Sequence, residues 1–361
     1  MIEVAVLPGD GVGCEVLRGP RLILEGLERD GVVEVTGPWP VGATAAHDEG
    51  SYLPDATLDA CARADAILLG AVGDDPRVPS NVCSRPELAL LDLRRRFDLR
   101  VSIRQVPSGG GRTLWVVRNL QDGAYGGPKD RGEAGDDAAS AWDRIHLDRA
   151  RIEEVVGLAV DLLRRKDDAR LVSVDKANLF ATSRLWRRIA TTTAYRLGEP
   201  IEHRLIDRAA AQLAGGEIAP DVLVTEGLFG DILSDVAAAA AGSPALCGSA
   251  SVRPDPGPGG GCVGLFEPAH GSAPRRAGRD QIDPLGGHLA LSSLLSWFPA
   301  TALLGERLNR AIGAVLEHGP WTYDLVRDDR PPASTSQVDE AVLAAFGEAA
   351  TSAADAARHR P

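Results

Sequence analysis

The sequence predicts a two-domain α/β protein built on a largely parallel central sheet, on three observations. Short apolar runs bounded by turn residues recur at residues 2–7, 66–69, 113–117, 170–174, 221–225 and 262–266. Segments of helical period lie between them, and strands alternating with helices favour parallel pairing. The chain has 361 residues, more than one compact core accommodates.

The first run, 2–7, is short, lacks a positive flank, and passes straight into Pro8-Gly9-Asp10-Gly11-Val12-Gly13, so it reads as a first strand rather than a targeting segment. Residues 151–166 are expected to be helical, because Ile152, Val155, Val156, Ala159, Leu162 and Leu163 repeat at the helix period. Further helices are expected at 234–241, 288–295, 302–318 and 337–350. Two segments break the pattern. Residues 126–140 are polar and rich in Gly and Asp, fitting a loop, a lid or an arm toward a second subunit. Residues 254–261 carry Pro-Asp-Pro-Gly-Pro-Gly-Gly-Gly and are expected to connect elements. The tail after Thr351 is expected to fray.

Lys and Arg number 39 against 51 Asp and Glu, for a net charge of −12. Such a balance disfavours nucleic acid and anionic membrane as partners. No stretch is apolar for long enough to span a bilayer. The five cysteines are scattered, without the close pairs of zinc sites or disulfide scaffolds, which predicts a reducing compartment and a cytoplasmic location. Only Lys129, Lys166 and Lys176 are lysines; every other basic residue is Arg.

Several segments carry candidate chemistry. In Leu228-Phe229-Gly230-Asp231-Ile232-Leu233-Ser234-Asp235, Asp231 and Asp235 are four apart, so a helix would project both carboxylates from one face. Two readings fit: an acidic helix start, or two ligands of a divalent cation, with Asp207 as a third oxygen donor suited to Mg²⁺ or Mn²⁺. Lys176 closes the strand-like run Val172-Ser173-Val174-Asp175-Lys176, where α/β proteins place their sites. A general base that must lose a proton is one role Arg cannot fill; a plain ion pair with Asp175 is the other reading. Tyr125 lies in a Gly-rich stretch suited to a proton donor. Arg94, Arg104 and Arg118 are candidate carboxylate clamps. The turn after the first strand is not G-x-G-x-x-G, so a standard Rossmann site is not expected. The loop Glu267-Pro268-Ala269-His270-Gly271-Ser272-Ala273-Pro274 has the Gly, Ser and backbone donors to cradle an adenosine-phosphate moiety.

Together these segments resemble the β-decarboxylating dehydrogenases, the family of isocitrate, 3-isopropylmalate, homoisocitrate and tartrate dehydrogenases. The resemblance runs in order through Leu7-Pro8-Gly9-Asp10-Gly11, Arg85-Pro86-Glu87, Val116-Val117-Arg118, Ser173 to Asn178, Phe229 to Asp235 and Phe266 to Pro274. It implies a mixed, largely parallel sheet in a large discontinuous domain, 1–98 with 243–361, that holds the nicotinamide cofactor. An inserted domain, 99–242, would carry a dimer clasp near 126–150 and the metal and catalytic residues, with the site in the cleft between the domains. It further implies a homodimer with shared sites, in which Lys176 and Asp207 of one subunit face Tyr125, Arg94, Arg104, Arg118, Asp231 and Asp235 of the other.

The implied reaction is metal-dependent oxidation of a 2-hydroxy acid at C2 with loss of the C3 carboxylate. Lys176 would accept the hydroxyl proton, Tyr125 would protonate the enol carbon, the three arginines would hold the leaving carboxylate, and Asp207, Asp231 and Asp235 would hold Mg²⁺ or Mn²⁺. The segment before Arg94 is similar to the isopropylmalate form, with Glu87, Leu90 and Leu91 forming a wall that suits an apolar 3-substituent. By the same resemblance Asn178, Glu267, His270, Gly271, Ser272, Ala273, Arg275 and Asp283 would contact the cofactor. NADP and NAD both stay open, with Arg275-Arg276 favouring the 2′-phosphate of NADP. Departures from the family pattern fall at Asn119, where Glu is usual after the Arg, and at Glu226-Gly227, where Gly-Asn or Ser-Asn is usual. They point to a specialised 3-substituted malate, with 3-isopropylmalate, isocitrate, homoisocitrate and tartrate as alternatives. A regulatory subunit is the reading from another class, and the retention of Tyr125, Lys176, Asp207, Asp231 and Asp235 together argues against it.

Overall fold

In the computed structural model, residues 1–79, 85–107, 113–126, 143–166, 169–216, 222–243, 245–254, 261–325 and 331–358 are described. The chain forms two compact units, residues 1–99 with 242–361 and residues 100–241.

The first unit opens with β1 (Ile2–Gly9), α1 (Gly13–Val16), α2 (Arg18–Arg29), β2 (Val33–Thr36), α3 (Ala43–Glu49), α4 (Asp55–Arg63), β3 (Ala66–Ala71) and α5 (Leu88–Arg96). β3 is buried along its whole length, as a continuous apolar run between two helical layers should be. Leu7, Ile67, Leu69, Leu93, Leu99 and Leu265 form one apolar cluster of this unit, against which Leu90 of α5 packs.

The second unit is built from β4 (Val101–Pro107), β5 (Thr113–Asn119), α6 (Gly123–Gly126), α7 (Arg149–Leu163), β6 (Leu171–Asp175), α8 (Ala181–Arg196), β7 (Glu202–Leu205), α9 (Ile206–Ala214), β8 (Val222–Thr225) and α10 (Gly227–Ala241). Its strands lie in the order β4, β5, β8, β6, β7. β4 and β5 pair antiparallel, and the remaining pairs are parallel.

The chain then completes the first unit with β9 (Gly248–Val252), β10 (Gly264–Pro268), α11 (Leu285–Trp297), α12 (Ala302–His318) and α13 (Thr335–Arg358). Here the order is β2, β1, β3, β10, β9, with β9 antiparallel to β10 and the rest parallel.

Several boundaries differ from the expectations. α10 begins at Gly227 rather than Ser234, because the Glu226 carboxylate accepts the N–H groups of Leu228 (3.1 Å) and Phe229 (3.3 Å) and so caps the first turn. α11 begins at Leu285 rather than His288, since Asp283 Oδ1 accepts the Leu285 N–H at 2.8 Å. α13 runs to Arg358, past the point expected to fray; its last turns are rich in Ala, the best helix former. Most of the expected clasp (127–142) and connector (255–260) lies outside the described residues.

Candidate active site

In the second unit, one carboxylate gathers three of the expected groups. Asp231 lies in the second turn of α10. Its Oδ1 meets Arg118 Nη1 at 2.8 Å and Arg104 Nη2 at 3.7 Å, and its Oδ2 accepts the Tyr125 hydroxyl at 2.7 Å. Arg104 also lies 3.6 Å from Asp235, one turn further along the same helix. The two arginines descend from the antiparallel pair β4 and β5, and both are largely buried. Tyr125 sits on α6, a single helical turn rather than an open loop. Burial raises the phenol's pKa, and the hydrogen bond to Asp231 adds to the rise. Asp231 and Asp235 thus share one helix face, and the arginines offset the repulsion between them.

Lys176 follows the last residue of β6 and pairs with Asp207 in the first turn of α9, at 2.5 Å. The alternative pairing with Asp175 does not occur. Asp175 is buried and held in two-point contact by Arg187 (2.8 and 2.9 Å). The bond from Lys176 lowers the Asp207 pKa.

Among the described residues, no three His, Cys, Asp or Glu side chains converge into a metal site within one chain. Asp207 is engaged with Lys176, whereas Asp231 and Asp235 meet arginines. The donor chemistry nevertheless fits a hard divalent cation: Asp235 is three-quarters exposed, and both α10 carboxylates offer oxygens one turn apart.

The expected substrate wall lies on α5 of the first unit, and its members differ. Glu87 is exposed at the helix start, Leu91 is exposed, and Leu90 leans into the core. Arg94 is mostly buried and donates to Glu267 Oε1 and Ser251 Oγ, each at 3.0 Å. A residue expected to hold substrate and one expected to hold cofactor are therefore joined to each other.

The expected cofactor loop is anchored from behind. Ser272 donates to the Asp74 carbonyl (2.7 Å) and accepts the Val12 N–H through its own carbonyl (2.9 Å). The backbone approach is so close that a Cβ on Gly11 would lie 2.1 Å from Ser272 O. Ala273 takes a positive φ of 39°, and Gly271 faces open space. His270 Nδ1 donates to the Gly271 carbonyl at 2.9 Å, and burial lowers the ring's pKa. Arg275 and Asn178 are exposed. Arg276 stacks its guanidinium 4.0 Å over the Tyr323 ring. Asp283 is fully buried, and burial pushes its pKa up to about 7. The exposed Gly271 and Arg275 beside a fixed turn fit a phosphate-bearing cofactor.

Two supports of this loop escaped the sequence reading. Asp10 receives the N–H groups of Ala43, Thr44 and Gly73 and the Thr44 hydroxyl. Asp75 accepts the Gly11 N–H at 2.7 Å and is gripped by Arg77 through two bonds of 2.8 Å, which hold its pKa down to about 2. The Pro8 to Gly13 run signalled a tight turn, but the partners lie more than 30 residues away in sequence.

A tyrosine hydroxyl and two guanidinium groups around one helix carboxylate, with a strand-end lysine paired with an acid, fit a decarboxylating dehydrogenase of the α/β class. The comparisons agree. A family model described as isocitrate/isopropylmalate dehydrogenase matches residues 3–342. The 3-isopropylmalate dehydrogenase of Desulfitobacterium hafniense (strain Y51) is 37% identical, over 96% of this chain and 100% of that protein. The apo β-decarboxylating dehydrogenase of Thermococcus kodakarensis superposes with a TM-score of 0.77 at 28% identity, over 96% of this chain and 97% of that one. The isocitrate dehydrogenase of Methylococcus capsulatus gives 0.80 at 28% identity, over 96% and 99%. The chain belongs to the isocitrate/isopropylmalate dehydrogenase family. Members of that family act on small hydroxy acids with NAD(P) and a divalent metal. Among the described residues, no helix is long and apolar enough to cross a membrane.

Proposed function

We propose that the chain oxidises a 3-substituted malate with an apolar side group at C2 and removes its C3 carboxylate, giving a 2-oxo acid and CO₂ with reduction of NADP or NAD. The observation that carries this reading is the set around Asp231, where Tyr125, Arg118 and Arg104 all reach one carboxylate.

Lys176 accepts the C2 hydroxyl proton as the neutral amine, and its contact with Asp207 fixes where the nitrogen lies. Arg94, Arg104 and Arg118 orient the carboxylate that departs. Tyr125 returns a proton to C3 once CO₂ has left. Asp207, Asp231 and Asp235 hold the divalent cation. The chemistry supplied by the bound groups is acceptance of the C2 hydrogen by the nicotinamide and withdrawal of electron density from the hydroxyl and C1 carboxylate by the cation.

Leu91, exposed on α5, supports an apolar 3-substituent, and the isopropyl group named for the relatives is the first candidate. The exposed Arg275 supports NADP over NAD. Asp207 is bonded to Lys176, and no ligand trio forms among the described residues of one chain. That supports sites completed by a second copy, with Lys176 and Asp207 facing the partner's share of the set. Turnover of 3-isopropylmalate, isocitrate and tartrate, each with both cofactors and with Mg²⁺ or Mn²⁺, tests the reading. A strong preference for isocitrate overturns the apolar substituent, and a clear preference for NAD overturns the cofactor choice. Mixing inactive Lys176→Ala with inactive Asp231→Asn should restore activity through mixed dimers; no recovery overturns the shared site.

A further inference from the structure

The junction between β8 and α10 holds two residues, Glu226 and Gly227, that the reaction as described does not use. Both lie against the turn that carries Tyr125. Gly227 has no room for a side chain: an added Cβ would lie 2.7 Å from the Asn119 carbonyl oxygen and 3.0 Å from Cδ2 of the Tyr125 ring. Its own carbonyl accepts Arg118 Nη1 at 3.2 Å. Arg118 in turn lies 5.9 Å from the centre of the Tyr125 ring and bonds Asp231, the acceptor of the Tyr125 hydroxyl.

Glu226 is almost fully buried and fixes the start of α10 through the Leu228 and Phe229 N–H groups. Its Oε2 also fills the space beside Gly123, the first residue of α6, where an added Cβ would come within 2.8 Å of that oxygen. Gly123 takes a φ of +72°, a conformation that favours glycine. One carboxylate thus abuts the start of the helix bearing Asp231 and the start of the turn bearing Tyr125.

We propose that Glu226-Gly227 is the positioning device for Tyr125: Gly227 leaves the seat into which the ring packs, and Glu226 fixes the two helix starts whose spacing brings the phenol to Asp231. The proposal rests on the reading of Tyr125 as the proton donor. A side chain added at 227 keeps the backbone carbonyl that Arg118 meets, so the main effect falls on kcat rather than on KM.

The test is Gly227→Ala, measured with 3-isopropylmalate and NADP beside the wild type, Tyr125→Phe and the Gly227→Ala/Tyr125→Phe double variant, together with a crystal structure of Gly227→Ala. The expected result is a loss of about tenfold or more in kcat with KM within about twofold, and a double variant no slower than Tyr125→Phe alone, since residues acting as one unit are not additive. The crystal structure should show the ring displaced and the Tyr125–Asp231 bond broken. An unmoved ring, an unchanged kcat, or losses that multiply in the double variant overturn the proposal. A displaced ring in a chain whose wild type turns over no 3-substituted malate leaves the seat standing and overturns the substrate reading instead. Where Gly227→Ala does not fold, Glu226→Gln takes its place, keeping the volume but giving up one of the two N–H acceptors; the same split is expected, and an unchanged kcat overturns the proposal.

Discussion

Arg118 Nη1 lies between two acceptors, Asp231 Oδ1 at 2.8 Å and the Gly227 carbonyl at 3.2 Å, so one guanidinium nitrogen ties the α10 carboxylate to the first turn of its own helix. Arg118 already offsets the charge on Asp231, so a divalent cation would draw on the remaining carboxylate oxygens of Asp231 and Asp235, which only the folded chain brings together. Mg²⁺ or Mn²⁺ is therefore expected to stabilise the folded chain by about 2.7 kcal/mol at a hundredfold excess over its Kd. Thermal unfolding with and without metal checks this. Asp231→Asn should lose most of the response, and Asp207→Asn should lose it too if the third ligand comes from a second copy. An equal shift in the wild type and both variants would show that the cation binds elsewhere.

Lys176 and Asp207 allow a base to be told apart from a fixed cation. Lys176→Arg keeps the positive charge and can still meet Asp207, but guanidinium does not give up its proton in proteins. If Lys176 accepts the hydroxyl proton, Lys176→Arg should lose about 10²–10⁴ in kcat, close to the loss in Lys176→Ala. An arginine variant that keeps most of its rate would reduce Lys176 to an electrostatic role.

How much of this was legible in the sequence depends on the range of the contact. The strand at 66–69, the four-residue spacing of Asp231 and Asp235, and the placement of Lys176 at a strand end are local patterns, and the structure has each in place. The grip of Asp75 on Gly11 and the hold of Asp10 on the first two residues of α3 are not local. Each joins segments more than 30 residues apart, through a carboxylate that looks like any surface acid in a chain of this charge. Glu226 shows the same difficulty. Read along the chain it is only a departure from a family motif; in the fold it is a helix cap with little exposure. For the same reason α10 begins seven residues before the expected Ser234: the carboxylate that caps it looks, along the chain, like any other acid.

Asp283 should give the chain a pH-dependent stability. It is buried, one oxygen accepts the Leu285 N–H, and the nearby Asp324 and Asp339 add to the effect of burial in raising its pKa to about 7. Between the ordinary value of 3.8 and about 7, the folded chain keeps a proton that the unfolded chain has released. Stability therefore falls as pH rises through that window and levels off above it. Asp283→Asn, which keeps the acceptor for Leu285, should remove the slope and be more stable than the wild type above pH 7, by an amount on the order of a few kcal/mol. Chemical denaturation across the window reads this directly, and parallel curves for the two proteins would remove Asp283 as the cause.

The wall on α5 separates specificity from stability. Leu90 and Leu91 are adjacent in sequence, yet Leu90 packs against the core cluster of the first unit while Leu91 is exposed. Leu91 lies three residues before Arg94, which places the two on neighbouring turns of one helix face. A polar residue at 91 should leave stability within about 0.5 kcal/mol, because Leu91 is exposed and lies outside the core cluster. It should lower kcat/KM for 3-isopropylmalate by roughly 10–200-fold, the range for apolar contacts of this size, and narrow the gap to substrates with a polar substituent. Leu90→Ser should do the opposite: about 1–3 kcal/mol of stability lost through a hydroxyl placed against the core, with the ratio between substrates little changed. Thermal unfolding and substrate ratios measured on both variants separate the two roles. If Leu91→Ser leaves the ratio untouched, the apolar wall is formed elsewhere, and Glu87 at the start of the same helix becomes the residue to vary.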